Sequence, residues 1–385
     1  MKSLTVRNPN DFMAPALIRM GTPDRLTINF DIPGDQHNYL RYRLRHLNAD
    51  GTPSRLLESE FTSGFNEGII DDFAYSSNTF VHYVNYNLEI PNDDVSILAS
   101  GNYVIEIFDE EEPESVLAEI PFSVSEDKAV TSADVTTHTD HGYNTEFQQL
   151  RIEVDAGRLG NINPYRDLIV TVMQNNRPET LKTLSHPLRV ESGKVLFEHS
   201  PELIFEAGNE YRRFETVRAD YAGMSVDSVK FYDNHWHAWL AKDEDRTESP
   251  YIYDSTQHGR FMIDEYNATD PDLGADYITV HFTLDTSARG GDIYIDGDLS
   301  GHRNSDFNKM TYDARDGLYH GEMLLKQGSY NYQYVFVPYG EEKGKPSKIE
   351  GNKYETRNEY LVRVYLREPG SRGDRLIGHT VTVAN

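Results

Sequence analysis

The sequence lacks cysteine and is short of basic residues. Without cysteine, the 385-residue chain cannot form disulfides, thiolate zinc sites or a thiol nucleophile. Its 37 lysines and arginines face 63 acidic residues, which gives a formal net charge of −26. Nucleic acids and anionic membrane surfaces both require basic patches, so the composition argues against either as a partner. An electrostatic match to a basic protein surface remains open, beside the simpler interpretation that the charge keeps the protein soluble.

Long apolar runs are also missing. No stretch approaches the roughly 18 apolar residues of a membrane-spanning helix, so we expect none to span a bilayer. The first seven residues, Met1 to Arg7, lack the apolar core of a signal peptide. If the protein acts in the periplasm, we therefore expect that the numbering begins after a removed leader.

Helical periodicity is absent over any three consecutive turns, and a period of two takes its place. Alternation of apolar and polar residues predicts half-buried antiparallel strands at 26–30, 40–44, 150–154, 278–284 and 330–336. The continuous apolar run Leu168–Val172 predicts a central strand, and 68–75 is the best candidate for a short helix. With 25 tyrosines and 17 phenylalanines, the composition also favours sheet surfaces. The sequence therefore predicts an all-β protein.

Length and two polar segments predict the domain organisation. A chain of this size indicates two or three domains, and segments 125–144 and 266–276 have the composition of linkers. Three blocks follow, at 1–124, 125–266 and 267–385. Each contains about six to eight strand-like runs, which is the number in an immunoglobulin-like sandwich. We predict an N-terminal β-sandwich, a central sandwich-like domain and a C-terminal sandwich.

Histidines and aspartates provide two candidate cation sites. His235 and His237 would share one face of a strand, as a metal pair requires. His138 and His141 lie three residues apart in the segment 125–144, and only long-range folding could join them to the first pair. Hydrogen-bonded or solvated histidine is the favoured interpretation. The aspartates around Gly297 suggest a calcium loop, but EF-hand spacing is absent and backbone capping in a turn is favoured. These aspartates are Asp292, Asp296, Asp298 and Asp306.

Enzyme signatures do not emerge from the remaining residues. Trp236 and Trp239 could stack on a sugar, but their spacing puts them on opposite faces of a strand, and core packing is favoured. No nucleophile elbow, phosphate loop or dinucleotide fingerprint is present. With 63 carboxylates, a pair resembling a glycosidase site carries no weight. We predict no catalytic residue, no metal and no cofactor. The binding residues stay unknown, and the acidic tip 109–114 and the charged loop 341–346 are the candidate contacts.

A family resemblance rests on the segment Phe61–Asp109. It contains Phe-Thr-Ser-Gly-Phe, then Asn-Thr, then Tyr-Val-Asn-Tyr-Asn-Leu-Glu-Ile-Pro-Asn-Asp, and then Ser-Gly-Asn-Tyr. In this wording and order it resembles the plug protein of the type IX secretion system of the Bacteroidota. Further similar stretches extend the resemblance over most of the chain: Ile169–Arg177, Gly208–Phe214, Pro250–Tyr253 and Gly259–Phe261.

The last block also resembles early-set sandwiches of the glycogen-binding type. The resemblance rests on Gly291–Leu299, Asp316–Tyr319 and Leu325–Tyr332. Those modules bind sugar through exposed tryptophans, whereas this chain has Ser300-Gly-His302 after the first stretch. The resemblance therefore implies a fold and not a sugar site.

The plug resemblance implies a non-enzymatic periplasmic protein that closes the giant outer-membrane β-barrel translocon when no cargo passes. The barrel is the expected partner, with other translocon subunits as further candidates. A periplasmic or surface carbohydrate-binding sandwich is the alternative, and a glycan-active enzyme is the third. Exposed coplanar aromatics or a cleft with paired carboxylates would favour these two, and affinity for a membrane barrel would favour the plug.

Overall fold

The computed structural model describes residues 1–8, 11–157, 159–160 and 162–384. Strands dominate, and the four α-helices are single turns at Glu58–Phe61 (α1), Pro164–Asp167 (α2), Pro271–Gly274 (α3) and Ser347–Glu350 (α4). None of the helices in these ranges has the length and apolar character needed to span a membrane. The predicted all-β class is confirmed.

Eleven strands build the first sandwich from the alternating sequence of its opening third. They are β1 (Lys2–Arg7), β2 (Leu17–Arg19), β3 (Leu26–Pro33), β4 (Leu40–Leu47), β5 (Thr62–Gly64), β6 (Glu67–Ile70), β7 (Asp72–Tyr75), β8 (Tyr83–Ile90), β9 (Val95–Ile97), β10 (Gly101–Asp109) and β11 (Val116–Ser125). The sheets have the orders β1-β3-β8-β7 and β2-β11-β10-β4-β6, and β5 pairs with β9. Between the two larger sheets lies one core that includes Ile28, Leu44 and Ile105.

The short helix expected at 68–75 is wrong. That segment forms β6 and β7, in which Gly68 and Ile70 are buried and Glu67 and Ile69 are exposed. Alternation over four residues matches a strand, whose successive side chains point to opposite faces.

The second sandwich uses nine strands of the middle of the chain and two from its end. They are β12 (Val130–Thr136), β13 (His138–Thr139), β14 (Gly142–Tyr143), β15 (Phe147–Asp155), β16 (Leu168–Gln174), β17 (Lys182–Leu184), β18 (Arg189–Glu191), β19 (Lys194–Phe197) and β20 (Ile204–Glu206), followed much later by the closing pair of the chain. One sheet has the order β12-β15-β19-β18, with β20 also on β15, and β13 and β14 form a small hairpin.

A single folded ten-stranded sheet forms the third sandwich. Its strands are β21 (Arg212–Glu215), β22 (Val226–Tyr232), β23 (His235–Leu240), β24 (Asp243–Glu244), β25 (Phe261–Ile263), β26 (Tyr277–Asp285), β27 (Gly291–Asp296), β28 (Lys309–Asp313), β29 (Leu318–Lys326) and β30 (Gly328–Pro338). The order is β21-β30-β27-β28-β29-β26-β23-β22, with β24 on β26 and β25 on β30.

The chain then returns to the second sandwich. Strands β31 (Glu359–Leu366) and β32 (Arg375–Val383) join β16 and β17 in the order β17-β16-β31-β32. Val170 pairs with Val364, and Val172 with Val362, so β16 is a central strand as expected. This sheet and the β15 sheet share one core.

Strand pairing does not follow the three consecutive blocks 1–124, 125–266 and 267–385. Strands before residue 267 pair with strands after it: β16 pairs with β31, and β23 pairs with β26. The linker expected at 125–144 is also wrong, since β12 pairs with β15 along seven residues. We propose instead that residues 208–351 form a sandwich inserted into a second one that is built from 127–207 and 352–384.

Candidate docking surfaces

The histidines singled out by sequence take part in hydrogen bonds within the third sandwich. The rings of His235 and His237 lie 4.2 Å apart on one face of β23. His235 Nε2 lies 2.9 Å from Thr279 Oγ1, and His237 Nδ1 lies 3.0 Å from His281 Nε2. Burial, and then the neighbouring histidines, lower the pKa of His237, so it stays neutral at pH 7. Within the described residues, no three or more acidic or histidine side chains form a group that could hold a metal.

His138 and His141 belong to the β13–β14 hairpin of the second sandwich, whereas His235 and His237 belong to the third sandwich. The ring of His138 stacks on Tyr143 at 3.8 Å, and that of His141 lies 5.9 Å from Phe147. The pairing of these two histidines with His235 and His237 is therefore not seen in the described contacts.

Three of the four aspartates of the candidate calcium loop, Asp292, Asp296 and Asp298, are held by cations of the chain itself. His302 bridges two of them, with Nδ1 at 3.0 Å from Asp296 Oδ1 and Nε2 at 3.0 Å from Asp298 Oδ1. Lys309 pairs with Asp292 at 2.9 Å. Burial alone would lower the pKa of His302, but the two carboxylates outweigh it and raise that pKa to about 10. This loop is therefore an internal ion-pair cluster.

Trp236 and Trp239 lie on opposite faces of β23. Trp236 packs against the sandwich core, and its ring meets Phe231 at 5.2 Å. Trp239 stacks on His281 at 4.5 Å with an interplanar angle of 3°, while Lys230 covers it at 5.0 Å. Because neighbouring side chains occupy the faces of this ring, it offers no open platform for a sugar.

Most residues of the family-like segment 61–109 shape the first sandwich. Gly64 has φ +98°, and a Cβ there would clash with the carbonyl oxygen of Asp94. The Asn66 side chain bonds both the N–H and the carbonyl oxygen of Leu44, each at 3.1 Å. Asn92 accepts bonds from the N–H groups of its own turn and donates to Tyr42 Oη at 2.8 Å. These positions fix backbone geometry and provide no chemistry.

Phe65 is the exception in that segment, because 76% of it is exposed. Its N–H bonds Asp94 O at 2.9 Å, and its neighbours Gly64 and Asn66 are fixed as described. The ring is thus presented by a held backbone. Sequence reasoning missed this residue, since an exposed phenylalanine in a strand-rich segment looks the same as a core one.

Phe65 borders an open cleft of about 660 Å³ on the outer face of β4. Arg43 and Arg45 each lie 2.5 Å from Glu106, a carboxylate whose side chain is only 1% exposed. Arg41 lines the same cleft and pairs with Glu110 at 3.3 Å. Glu58 and Glu67 are also in the lining, so the cleft carries both signs of charge. Exposed aromatic and arginine side chains are the residue types that most often dominate protein interfaces.

Buried polar groups join the first sandwich to the third. Lys326 Nζ and Asp31 Oδ2 lie 2.7 Å apart, and both side chains are almost fully buried. Tyr277 donates to the same carboxylate at 2.7 Å, and Asn85 donates to its other oxygen at 2.8 Å. Tyr83 donates to Ala275 O at 2.8 Å.

Ion pairs also cross the other two junctions. Between the first and second sandwiches, Arg375 holds Glu126 at 2.7 Å. Between the second and third, Arg260 holds Glu359 at 2.7 Å with both side chains below 10% exposure. The Arg375 side chain is 35% exposed, whereas the Asp31–Lys326 and Arg260–Glu359 pairs are buried. The two buried pairs favour one fixed arrangement, because an alternative packing would leave their charges unpaired.

A second cleft, of about 600 Å³, opens at the junction of the first and third sandwiches. Phe80 and Trp236 contribute aromatic surface, and the other apolar lining residues are small or aliphatic. Its acidic lining residues are Asp220, Glu265, Asp270 and Asp276, and its lining includes no lysine or arginine.

The two loop tips named as candidates from the sequence are exposed, but each forms an ion pair within the protein. Glu110 in the first tip pairs with Arg41, and Lys345 in the second pairs with Glu206. They remain candidate contacts with no geometric feature that favours them.

These features describe an all-β protein of joined sandwiches with two open clefts at its surface. Three comparisons with known proteins narrow this class. Residues 1–126 match the family model for the first domain of the type 9 secretion system plug protein. A crystal structure of a hypothetical protein from Parabacteroides merdae superposes with a TM-score of 0.96, at 38% identity, over 100% of this chain and 97% of that chain.

A collagen adhesin from S. aureus matches with a TM-score of only 0.11 and 8% identity, over 100% of this chain and 93% of the adhesin, and carries no argument. A search of curated protein sequences found no match. By the family match, residues 1–126 are a first domain of the type IX secretion system plug protein family. The role of the protein therefore lies in type IX secretion, as a component of that machinery in the cell envelope.

Proposed function

We propose that this protein is the non-enzymatic plug that binds the periplasmic mouth of the type IX outer-membrane translocon barrel and closes it when no cargo passes. The match of residues 1–126 to the plug family carries this proposal. Closure is steric: a folded body larger than the opening sits across it, and no bond is made or broken.

The junctions support this mechanism. A body that blocks a pore must not open along its own seams under load. Ion pairs such as Asp31–Lys326 and Arg260–Glu359 lie inside those seams, where water does not screen them. Reversible release requires an interface that is polar in part, and the high surface charge supports a free, soluble state between docking events.

The Phe65 face is the proposed contact with the barrel. Phe65 is exposed and its backbone is already held, so little conformational entropy would be lost when it enters a pocket of the partner. The neighbouring Arg41 and Arg45 supply donors for carboxylates around such a pocket.

Capture from detergent-solubilised outer membranes tests the function. With this chain as tagged bait, we expect a very large β-barrel in near-equal stoichiometry. Barrel reconstituted in vesicles should leak a small dye, and addition of this chain should stop the leak. Failure to recover any membrane barrel, or leakage that is unaffected by saturating protein, would overturn the proposal.

A further inference from the structure

We propose that the cleft at the junction of the first and third sandwiches docks a basic segment of a protein partner, with an arginine or lysine side chain inserted beside Phe80 and Trp236. This inference rests on the proposed function in one respect: it takes the partner to belong to the secretion machinery. The occupant is identified by the chemistry of the cleft.

The walls of the cleft come from both sandwiches. Ser77 N donates to Leu273 O at 2.9 Å, and Asp276 accepts the backbone N–H groups of Phe80 and Val81 at 2.9 and 3.0 Å. These bonds fix the two walls relative to each other. Clefts at domain junctions with a few convergent polar groups are frequent ligand sites.

Aromatic rings supply the apolar part of the cleft. Phe80 is 58% exposed and meets Phe231 at 4.6 Å, and Phe231 in turn meets Trp236 at 5.2 Å. The three rings come from both sandwiches and contact one another in series, and Phe80 and Trp236 line the cleft. An aromatic surface can hold the aliphatic stem of an arginine or lysine, or receive its charge over a ring face.

Among the described residues, two of the four acidic lining residues of this cleft, Glu265 and Asp270, are not neutralised by an ion pair, whereas Asp220 is paired with Arg218. Glu265 accepts the N–H of Asn267 at 2.8 Å, and Asp270 accepts that of Asp272 at 3.1 Å. Neither carboxylate has a cationic partner within salt-bridge distance in the described parts of the chain. Both therefore keep lone pairs for a donor that enters the cleft.

The rim already holds one guanidinium in this kind of environment. Arg218 bonds both oxygens of Asp220, at 3.1 and 3.0 Å, and lies over the rings of Tyr221 and Tyr266 at 5.8 and 5.5 Å. Those two tyrosines are 65% and 70% exposed. A second cation from a partner would find the same combination of carboxylate and aromatic ring within the cleft.

Fluorescence of Trp236 gives a local test. Trp236 and Trp239 are the two tryptophans of the chain, so Trp239→Phe leaves Trp236 as the reporter. The probe is a hexa-arginine peptide, with hexaglutamate as its control. We expect a saturable change in Trp236 emission with hexa-arginine only, and weakening of that binding as salt is raised.

Charge reversal separates the cleft from the general acidity of the protein. Glu265→Lys should weaken hexa-arginine binding about five- to tenfold, and Glu265→Gln should weaken it less. Glu342→Lys makes the same change of net charge on an exposed remote loop and should leave the affinity unchanged. Equal effects of Glu265→Lys and Glu342→Lys, or no saturable signal, would overturn the inference. Phe80→Ala provides an independent variant that keeps every charge and should also weaken binding.

The two proposals fail separately. If this chain captures and closes the barrel but Trp236 does not respond to hexa-arginine, the cleft inference is wrong and the plug function stands. If the peptide binds as expected and no barrel is captured, the cleft chemistry stands and the plug function is wrong.

Discussion

Asp31 and Lys326 form an ion pair that is shut away from solvent between the first and third sandwiches, with 2.7 Å between carboxylate and ammonium. Burial raises the pKa of Asp31 and lowers that of Lys326, and each charge opposes the shift of the other. Each charge is therefore stabilised in the folded protein mainly by the other, and removal of one of them should destabilise the junction of the two sandwiches.

Lys326→Met should destabilise the protein by about 3–5 kcal/mol, because it leaves the Asp31 carboxylate buried without its cation. The double variant Asp31→Asn with Lys326→Met should cost less than this single change. Chemical denaturation measures both free energies of unfolding. A double variant that is at least as unstable as the single one would contradict the pairing.

His302 should make stability depend on pH above neutrality. Its pKa is about 10 in the folded protein and about 6.5 when unfolded, so its contribution is complete below pH 6.5 and declines as pH rises toward 10. We expect a loss of about 4 kcal/mol over this range. Unfolding measured between pH 6.5 and 9.5 should show the slope in the native sequence. His302→Gln should flatten it, and an unchanged slope in that variant would assign the effect to other groups.

Gly64→Ala should destabilise the first sandwich by about 2–4 kcal/mol, because positive φ and the clash with the Asp94 carbonyl act together. Gly340→Ala is the matched control: Gly340 has φ +86°, and a Cβ added there would have nothing within 4 Å. The control should cost only about 1 kcal/mol, which is the strain of the backbone conformation alone. Thermal unfolding of both variants measures the difference, and equal losses would refute the close approach to Asp94.

Phe65→Ser should leave the stability of the protein unchanged and weaken barrel capture about tenfold or more, since the ring is exposed and touches no core. Tyr339→Ser removes an aromatic of similar exposure, 73%, from another part of the surface and should bind as before. The measurement is affinity for purified barrel. If both variants bind normally, the Phe65 face is not the contact.

Most strand positions could be predicted from the sequence, because apolar and polar residues alternate along a half-buried strand. Leu26, Ile28 and Phe30 alternate with polar residues and are all fully buried. The prediction for 68–75 was wrong, since a four-residue strand is too short for its period to be distinguished from a helical turn.

Which strands pair with each other could not be predicted from the sequence in the same way. The apolar run that forms β16 predicts a buried strand, but nothing local says that β31, far along the chain, will pair with it. Residues that gain meaning only from such pairing were also missed. The junction cleft is one example, since Phe80 and Glu265 become neighbours of the same space only after two sandwiches meet.

Because β31 and β32 return to the second sandwich, the sandwiches must fold in a fixed order as the chain is synthesised or exported. While the ribosome or an export channel still holds the last residues, β16 has only β17 beside it, and half of that core faces water. The first sandwich can close from its own strands well before this moment. The second sandwich can be completed only after β31 and β32 have emerged. A chain truncated before these strands would therefore lack a complete second sandwich, although most of that sandwich comes from the middle of the sequence.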